Sequence, residues 1–291
     1  MTGDLHCFGN EAVSACVKAD GAELCRLRDG TGTDYLWDAA PAWPRHAPVL
    51  FPIVGRLKDD TLVHRGRSYH LTQHGFARDR RFAWTERTGT SCRLVLKDDD
   101  ATRALYPFGF RFELAFRIEG ATLSVDYTVT NTGGTVLPAS MGAHPAFRWP
   151  LRPGRAKTDY ALTFAADEPE KLRGVVNGLL TPPDRPSPIQ GRILPLSEAL
   201  FAADALILSH PASRSVRFAA ADGPALTVAW EGFPQLGIWM RPGGDFLCIE
   251  PWAGMASPPD FDGDILEKPW MMLIPPGESR QASYRVTVEG S

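Results

Sequence analysis

Residues 111–119 read Arg111-Phe112-Glu113-Leu114-Ala115-Phe116-Arg117-Ile118-Glu119, and their order decides the fold class. Phe112, Leu114, Phe116 and Ile118 alternate with Arg111, Glu113, Arg117 and Glu119, the period of two that gives a strand one core face and one wet face. Beyond the turn at Gly120, residues 122–130 repeat the alternation with Leu123, Val125, Tyr127 and Val129, which predicts an antiparallel hairpin. Similar short runs occupy 92–96, 225–230, 236–240, 246–250 and 283–288. Helical periodicity is confined to 98–106, with an aspartate cap and Pro107 as its stop, and to 197–203. Many short strands, reversed by turns in a chain with 27 Gly and 25 Pro, predict an all-β sandwich or barrel.

The chain has 291 residues, 44% of them hydrophobic and 22% charged, the composition of a globular protein with a sizeable core. Net charge is only −3 with both signs spread along the chain, so no basic field is present to hold nucleic acid. The first ten residues have no signal-peptide pattern and no segment approaches the roughly 20 apolar residues of a membrane span, so no membrane partner is expected. Five cysteines, Cys7, Cys16, Cys25, Cys92 and Cys248, are an odd number without a close-spaced pair; they read as reduced strand residues, which agrees with a cytoplasmic protein. No repeat or linker marks a boundary, and the proline-rich stretch 178–191 reads as a surface loop, so residues 1–291 are expected to form one domain.

Two histidines have small neighbours that leave a ring reachable: His74 in Gln73-His74-Gly75-Phe76-Ala77-Arg78 and His144 in Gly142-Ala143-His144-Pro145-Ala146-Phe147. The alternative for each is an imidazole that satisfies a loop carbonyl. Glu250 shares its strand face with Phe246 and Cys248, so a carboxylate points where apolar groups point; otherwise it is a strand-end glutamate already in solvent. His70 and His74 are four apart, but the flanking Gly66 and Gly75 indicate strand and loop rather than a zinc helix, so no metal is expected. Neither a glycine-rich phosphate cradle nor a nucleophile elbow is present.

Taken in order, residues 51–56 (Phe-Pro-Ile-Val-Gly-Arg), the runs around His74 and His144, and Ile249-Glu250-Pro251-Trp252 resemble the aldose 1-epimerase (galactose mutarotase) family in its LacX-like branch. The resemblance runs from about Phe8 to Val288. It implies a large, curved antiparallel β-sandwich, a galactose mutarotase-like supersandwich, with a sugar cleft on one sheet and no cofactor. It further implies that His144 is the general acid, Glu250 the general base and His74 a sugar-binding residue, with Asp204 as the family's substrate-binding aspartate. The family's Gly-Arg-x-x-Asn-Arg is here Gly55-Arg56-Leu57-Lys58-Asp59-Asp60, so its second arginine is missing and Arg56 or Arg78 is the candidate replacement.

Mutarotation suits such residues, because it needs only a base at the anomeric hydroxyl and an acid at the ring oxygen. His144 must then be held protonated, by a carboxylate such as Asp204 or Glu250. Trp239, Trp252 and Phe147 are candidates to pack on a pyranose face. The expected partner is a small sugar, bound by a monomer or homodimer. Two alternatives stand beside an aldose mutarotase: a hexose-6-phosphate mutarotase, motivated by Arg56 and Arg78, and a non-catalytic carbohydrate-binding sandwich, against which both acid and base candidates speak.

Overall fold

A computed structural model describes residues 4–290 of the chain. The alternating segments form strands slightly longer than the pattern marks. Phe110–Glu119 pairs with Thr122–Asn131, Thr122 opposite Glu119, and Gly120 makes the reversal in the left-handed region at φ 55°. The two lie within a nine-stranded antiparallel sheet that also holds Ser91–Lys97, Ala225–Glu231 and Ser279–Glu289. The helical signal at 98–106 yields one short helix, Asp100–Arg103; the Asp99 side chain accepts from Thr102 N at 2.7 Å and the Thr102 hydroxyl accepts from Asp99 N. The signal at 197–203 becomes the 3₁₀ turn Glu198–Phe201.

A second sheet runs in the order Leu206–Leu208, Gln235–Trp239, Phe246–Ala253, Met141–Ala143 and Val49–Leu50. Ala146–Arg148 pairs with the other end of Phe246–Ala253. The core fills the space between the sheets: Phe51 stacks on Phe112 at 4.5 Å, and Leu247, Ile249, Leu236 and Ile238 belong to the same cluster. The chain is thus all-β and built as the large antiparallel sandwich expected. All eight residues of Phe246–Ala253 are buried, but for two different reasons. Leu247, Ile249 and Ala253 face the core, whereas Phe246, Cys248, Glu250 and Trp252 face the opposite side and lie under smaller clusters of their own.

One expectation is overturned. Cys7 and Cys16 are joined as a disulfide, while Cys25, Cys92 and Cys248 are free. The sequence separation of nine gave no signal of this, because what pairs them is the hairpin register: Leu5–Gly9 and Val13–Lys18 place Cys7 directly opposite Cys16. Reduced thiols therefore no longer argue for a cytoplasmic setting. Among the described residues no helix is long and apolar enough to cross a membrane.

Phe112, fully buried between Phe51 and Phe82, is expected to cost about 3–5 kcal/mol on replacement by alanine, read as a lowered denaturation midpoint. A thiol count on the denatured, unreduced chain is expected to give two fewer reactive groups than the same count after reduction.

Candidate active site

Register on the second sheet creates the site. Gly142 lies opposite Trp252 and Ala146 opposite Cys248, in one continuous register that sets position 144 directly across from position 250. Pro145 has no N–H to give the ladder, so backbone pairing lapses there and resumes at Ala146. Across this gap His144 Nε2 lies 3.2 Å from Glu250 Oε2, with the residues 8% and 1% exposed. On the other side of Glu250 stands Gly237; a Cβ there would come within 2.3 Å of the Trp252 ring, so glycine makes room for the indole.

His74 reaches the same place from a loop. It adopts a left-handed backbone at φ 65°, next to Gly75 at φ 67°, a conformation that costs a non-glycine residue about 1–3 kcal/mol. Reciprocal bonds hold it there: His74 N donates to Gly55 O at 2.8 Å, and Gly55 N donates to His74 Nδ1 at 3.1 Å. Since Nδ1 accepts, the ring hydrogen is on Nε2. The His74 and His144 rings meet edge to face at 5.8 Å.

These side chains line a cleft of about 390 Å³, together with Arg56, Arg78, Asp204, Trp239 and Trp252. The structure therefore gathers His74, His144, Glu250, Arg56, Arg78, Asp204 and Trp239 around one space. A wider recess of about 790 Å³ adjoins it, with Val175, Asp204, Trp239 and Arg241 shared between the two. Phe147 is not part of the cleft: its alternation parity turns it into the main core, where it is fully buried. His70 sits exposed on the strand Arg67–His70, away from His74, so the pair forms no ligand set.

Two aromatic or charged residues of the cleft escaped the sequence reading. Trp43, from the loop around Pro41 and Pro44, stacks on the His144 ring at 5.1 Å and 26°, and meets Trp239 edge-on. Its carbonyl accepts from Trp37 Nε1 at 2.8 Å, which ties the loop down. A large aromatic side chain between prolines was the available signal. Arg241, just past the Gln235–Trp239 strand, has no side-chain partner among the described residues; only its proximity to the cleft identifies it.

Burial governs the electrostatics. It pushes His144 from 6.5 down to about 3, with Arg78 and Arg45 adding to the effect. This corrects the expectation that a nearby carboxylate holds His144 protonated. Burial likewise raises Glu250 well above the usual carboxylate range, with Asp204 adding to it and the nearby Trp252 indole opposing. His74 is driven well below its ordinary value by burial, then by His144, Arg78 and Arg45. Arg56 is already committed: its Nε and Nη2 donate to the two Asp60 oxygens, each at 2.7 Å. Asp60 occupies the position where the family pattern has its second arginine. Arg78 donates to Gln73 O at 2.7 Å, and its buried Nε has no hydrogen-bond partner.

An all-β sandwich with an open cleft and a buried imidazole–carboxylate pair at its base fits an enzyme that works by acid–base chemistry, and comparison with known proteins supplies the family. The family model described as aldose 1-epimerase matches residues 4–286, and the chain belongs to that family of isomerases. Protein LacX of Lactococcus lactis subsp. lactis is 31% identical across 96% of this chain and 97% of its own. A galactose mutarotase related enzyme from Lactobacillus acidophilus superposes with a TM-score of 0.90 at 32% identity, covering 98% of this chain and 97% of its own. A galactose mutarotase-like protein from Lactobacillus casei gives 0.90 at 26% identity, over 98% and 100% of the two chains. A mutarotase-type activity on a small sugar follows at this level.

Removing the indole that covers His144 is expected to hydrate its ring. In Trp43→Ala the His144 imidazole should titrate at higher pH than in the parent, moving back toward 6.5, as read by NMR of the ring protons.

Proposed function

We propose that the chain interconverts the α and β anomers of a free hexose by ring opening and reclosure at His144 and Glu250. The observation that carries this reading is the 3.2 Å approach of Nε2 and Oε2 in a cleft that also presents His74, three arginines, Asp204 and three indole rings. Opening requires a proton delivered to the ring oxygen while another leaves the anomeric hydroxyl. His144 is assigned the first task and Glu250 the second.

Those roles use the imidazolium–carboxylate form of the pair, whereas burial alone favours the uncharged form. A single proton crossing between Oε2 and Nε2 interconverts the two forms. During opening, His144 gives its proton to the ring oxygen and Glu250 takes the anomeric one, leaving both groups uncharged. The aldehyde then turns about its first carbon–carbon bond. In reclosure on the other face Glu250 returns a proton to the carbonyl oxygen and His144 recovers one from the attacking hydroxyl. Both forms are visited in each turnover, and the pair ends as it began.

The other cleft residues position the sugar. His74 presents Nε2–H as a neutral donor, Arg78 lines the wall with its guanidinium, Asp204 accepts at the rim, and Trp239 lies flat-sided for the apolar face of a pyranose. Arg56 acts through its exposed edge while Asp60 holds it. A hexose 6-phosphate is the second reading, favoured by the unpartnered Arg241 at the junction with the wider recess. The Asp60 carboxylate on Arg56 weighs against it. Comparing rates on glucose and glucose 6-phosphate decides between them.

His144→Ala and Glu250→Gln are each expected to lower the catalysed anomer exchange by about 10²–10⁴-fold with the fold intact, followed by polarimetry and circular dichroism. Parent-like rates in both would defeat the proposal. The active pair carries one proton, so activity falls on the acid side only where the imidazole takes up a second. With His144 pushed down to about 3, kcat/KM should stay level from pH 7 to pH 5, and an inflection near 6.5 would contradict the assignment.

A further inference from the structure

We infer that His144, Cys248 and Glu250 form a binding site for a zinc-class divalent cation at the base of the cleft, with Cys248 reached from beneath its lining, occupied in competition with the sugar. The cation site stands on side-chain placement alone; the competition rests on the function proposed above.

One ligand atom from each of the three residues lies within 4.8 Å of the other two, and all three residues are buried. The sheet explains the grouping. Cys248 and Glu250 are two apart on one strand and share a face, and the register that faces Gly142 with Trp252 and Ala146 with Cys248 brings His144 in from the neighbouring segment. Among the described residues this is the one such group of histidine, cysteine and acidic side chains.

The donor set selects the ion. A nitrogen, a thiol sulfur and a carboxylate oxygen together suit zinc and its neighbours, whereas magnesium and calcium require oxygen alone. His144 and Glu250 line the cleft while Cys248 is buried behind them, so a bound ion would have three protein ligands and one side toward the cleft, which supplies the fourth as water. One polar atom supports this independently: Glu250 Oε2 is buried, 3.2 Å from His144 Nε2, and has no hydrogen-bond partner. Leaving such an atom unpaired is costly, and a cation held between Nε2 and Oε2 satisfies it directly. Two protons pass to solvent as the metal binds, the thiol proton of Cys248 and the one that His144 and Glu250 share. His74 stays outside the set, because its Nδ1 accepts from Gly55 N and its Nε2 keeps its hydrogen. The ion would hold the same lone pairs that the sugar's hydroxyls need, so the two exclude one another.

The test uses the full chain without a histidine tag and Co²⁺ as the probe, since a cobalt–thiolate bond absorbs in the near ultraviolet and a tetrahedral site in the visible. One equivalent of Co²⁺ is expected to produce the thiolate band, and Zn²⁺ to abolish it by displacement. Cys248→Ser and Cys248→Ala should lose the band and bind Co²⁺ at least about tenfold more weakly. In the unaltered chain, Co²⁺ should shift the His144 ring signals in NMR before those of the exposed His70 and His210. No band in the unaltered chain, a band that survives in a folded Cys248 variant, or shifts confined to the exposed histidines would each overturn the site. Saturating glucose should raise the apparent Kd for Co²⁺. A band that persists in a chain without mutarotase activity would defeat the proposed function and leave the metal site standing, whereas active enzyme whose Co²⁺ affinity ignores sugar would defeat the competition.

Discussion

One antiparallel register carries the chemistry of this protein. Gly142 with Trp252 and Ala146 with Cys248 belong to the same ladder, and the ladder's interruption at Pro145 leaves His144 and Glu250 facing each other with no backbone bond between them. A slip of Phe246–Ala253 by one residue would turn Glu250 into the apolar core and part it from His144, because the side-chain period of a strand is two. The core face of the same strand, Leu247, Ile249 and Ala253, penalises that shift, so packing between the sheets also fixes the alignment of the pair. Stability and site geometry are set by the same constraint.

The second layer of control is water. The cleft face of Phe246–Ala253, Trp252 included, is an apolar strip with one acid in it, roofed by Trp43 and Trp239. Removing water from an imidazole and a carboxylate together raises the cost of charging either, so burial tips the pair toward its uncharged form, from which one proton passing from Glu250 to His144 gives the charged one. Glycine at 237 and at 142 is part of this design, since a side chain at either position would collide with the Trp252 ring.

The arginines separate this chain from the simplest version of its family pattern. Where the pattern carries a second arginine, Asp60 instead clamps Arg56 through two short hydrogen bonds, and the net positive charge of that corner falls. Arg78 is turned inward, with burial opposing its charge, while Arg241 stands unpaired where the cleft opens into the wider recess. Under the proposed function, discrimination among sugars falls to these arginines at the rim, apart from the acid–base pair below.

Much of the architecture was legible in the chain itself. Alternation in residues 111–119 and 122–130 determined strands, their core faces and a hairpin, because a period of two has a single structural reading when one face must be dry. The same parity put Glu250 on a face with Phe246 and Cys248, and small residues beside His74 and His144 marked both rings as reachable. Pairing across distance was not legible. The opposition of 144 and 250, the capture of Arg56 by Asp60, the roof supplied by Trp43 and the Cys7–Cys16 bridge all depend on which strands and loops become neighbours. Local sequence determined what each segment is, since propensity and periodicity act within a few residues. Only tertiary structure decided what each side chain meets, and hence how far burial moves its proton, since desolvation belongs to the surroundings and to no single residue.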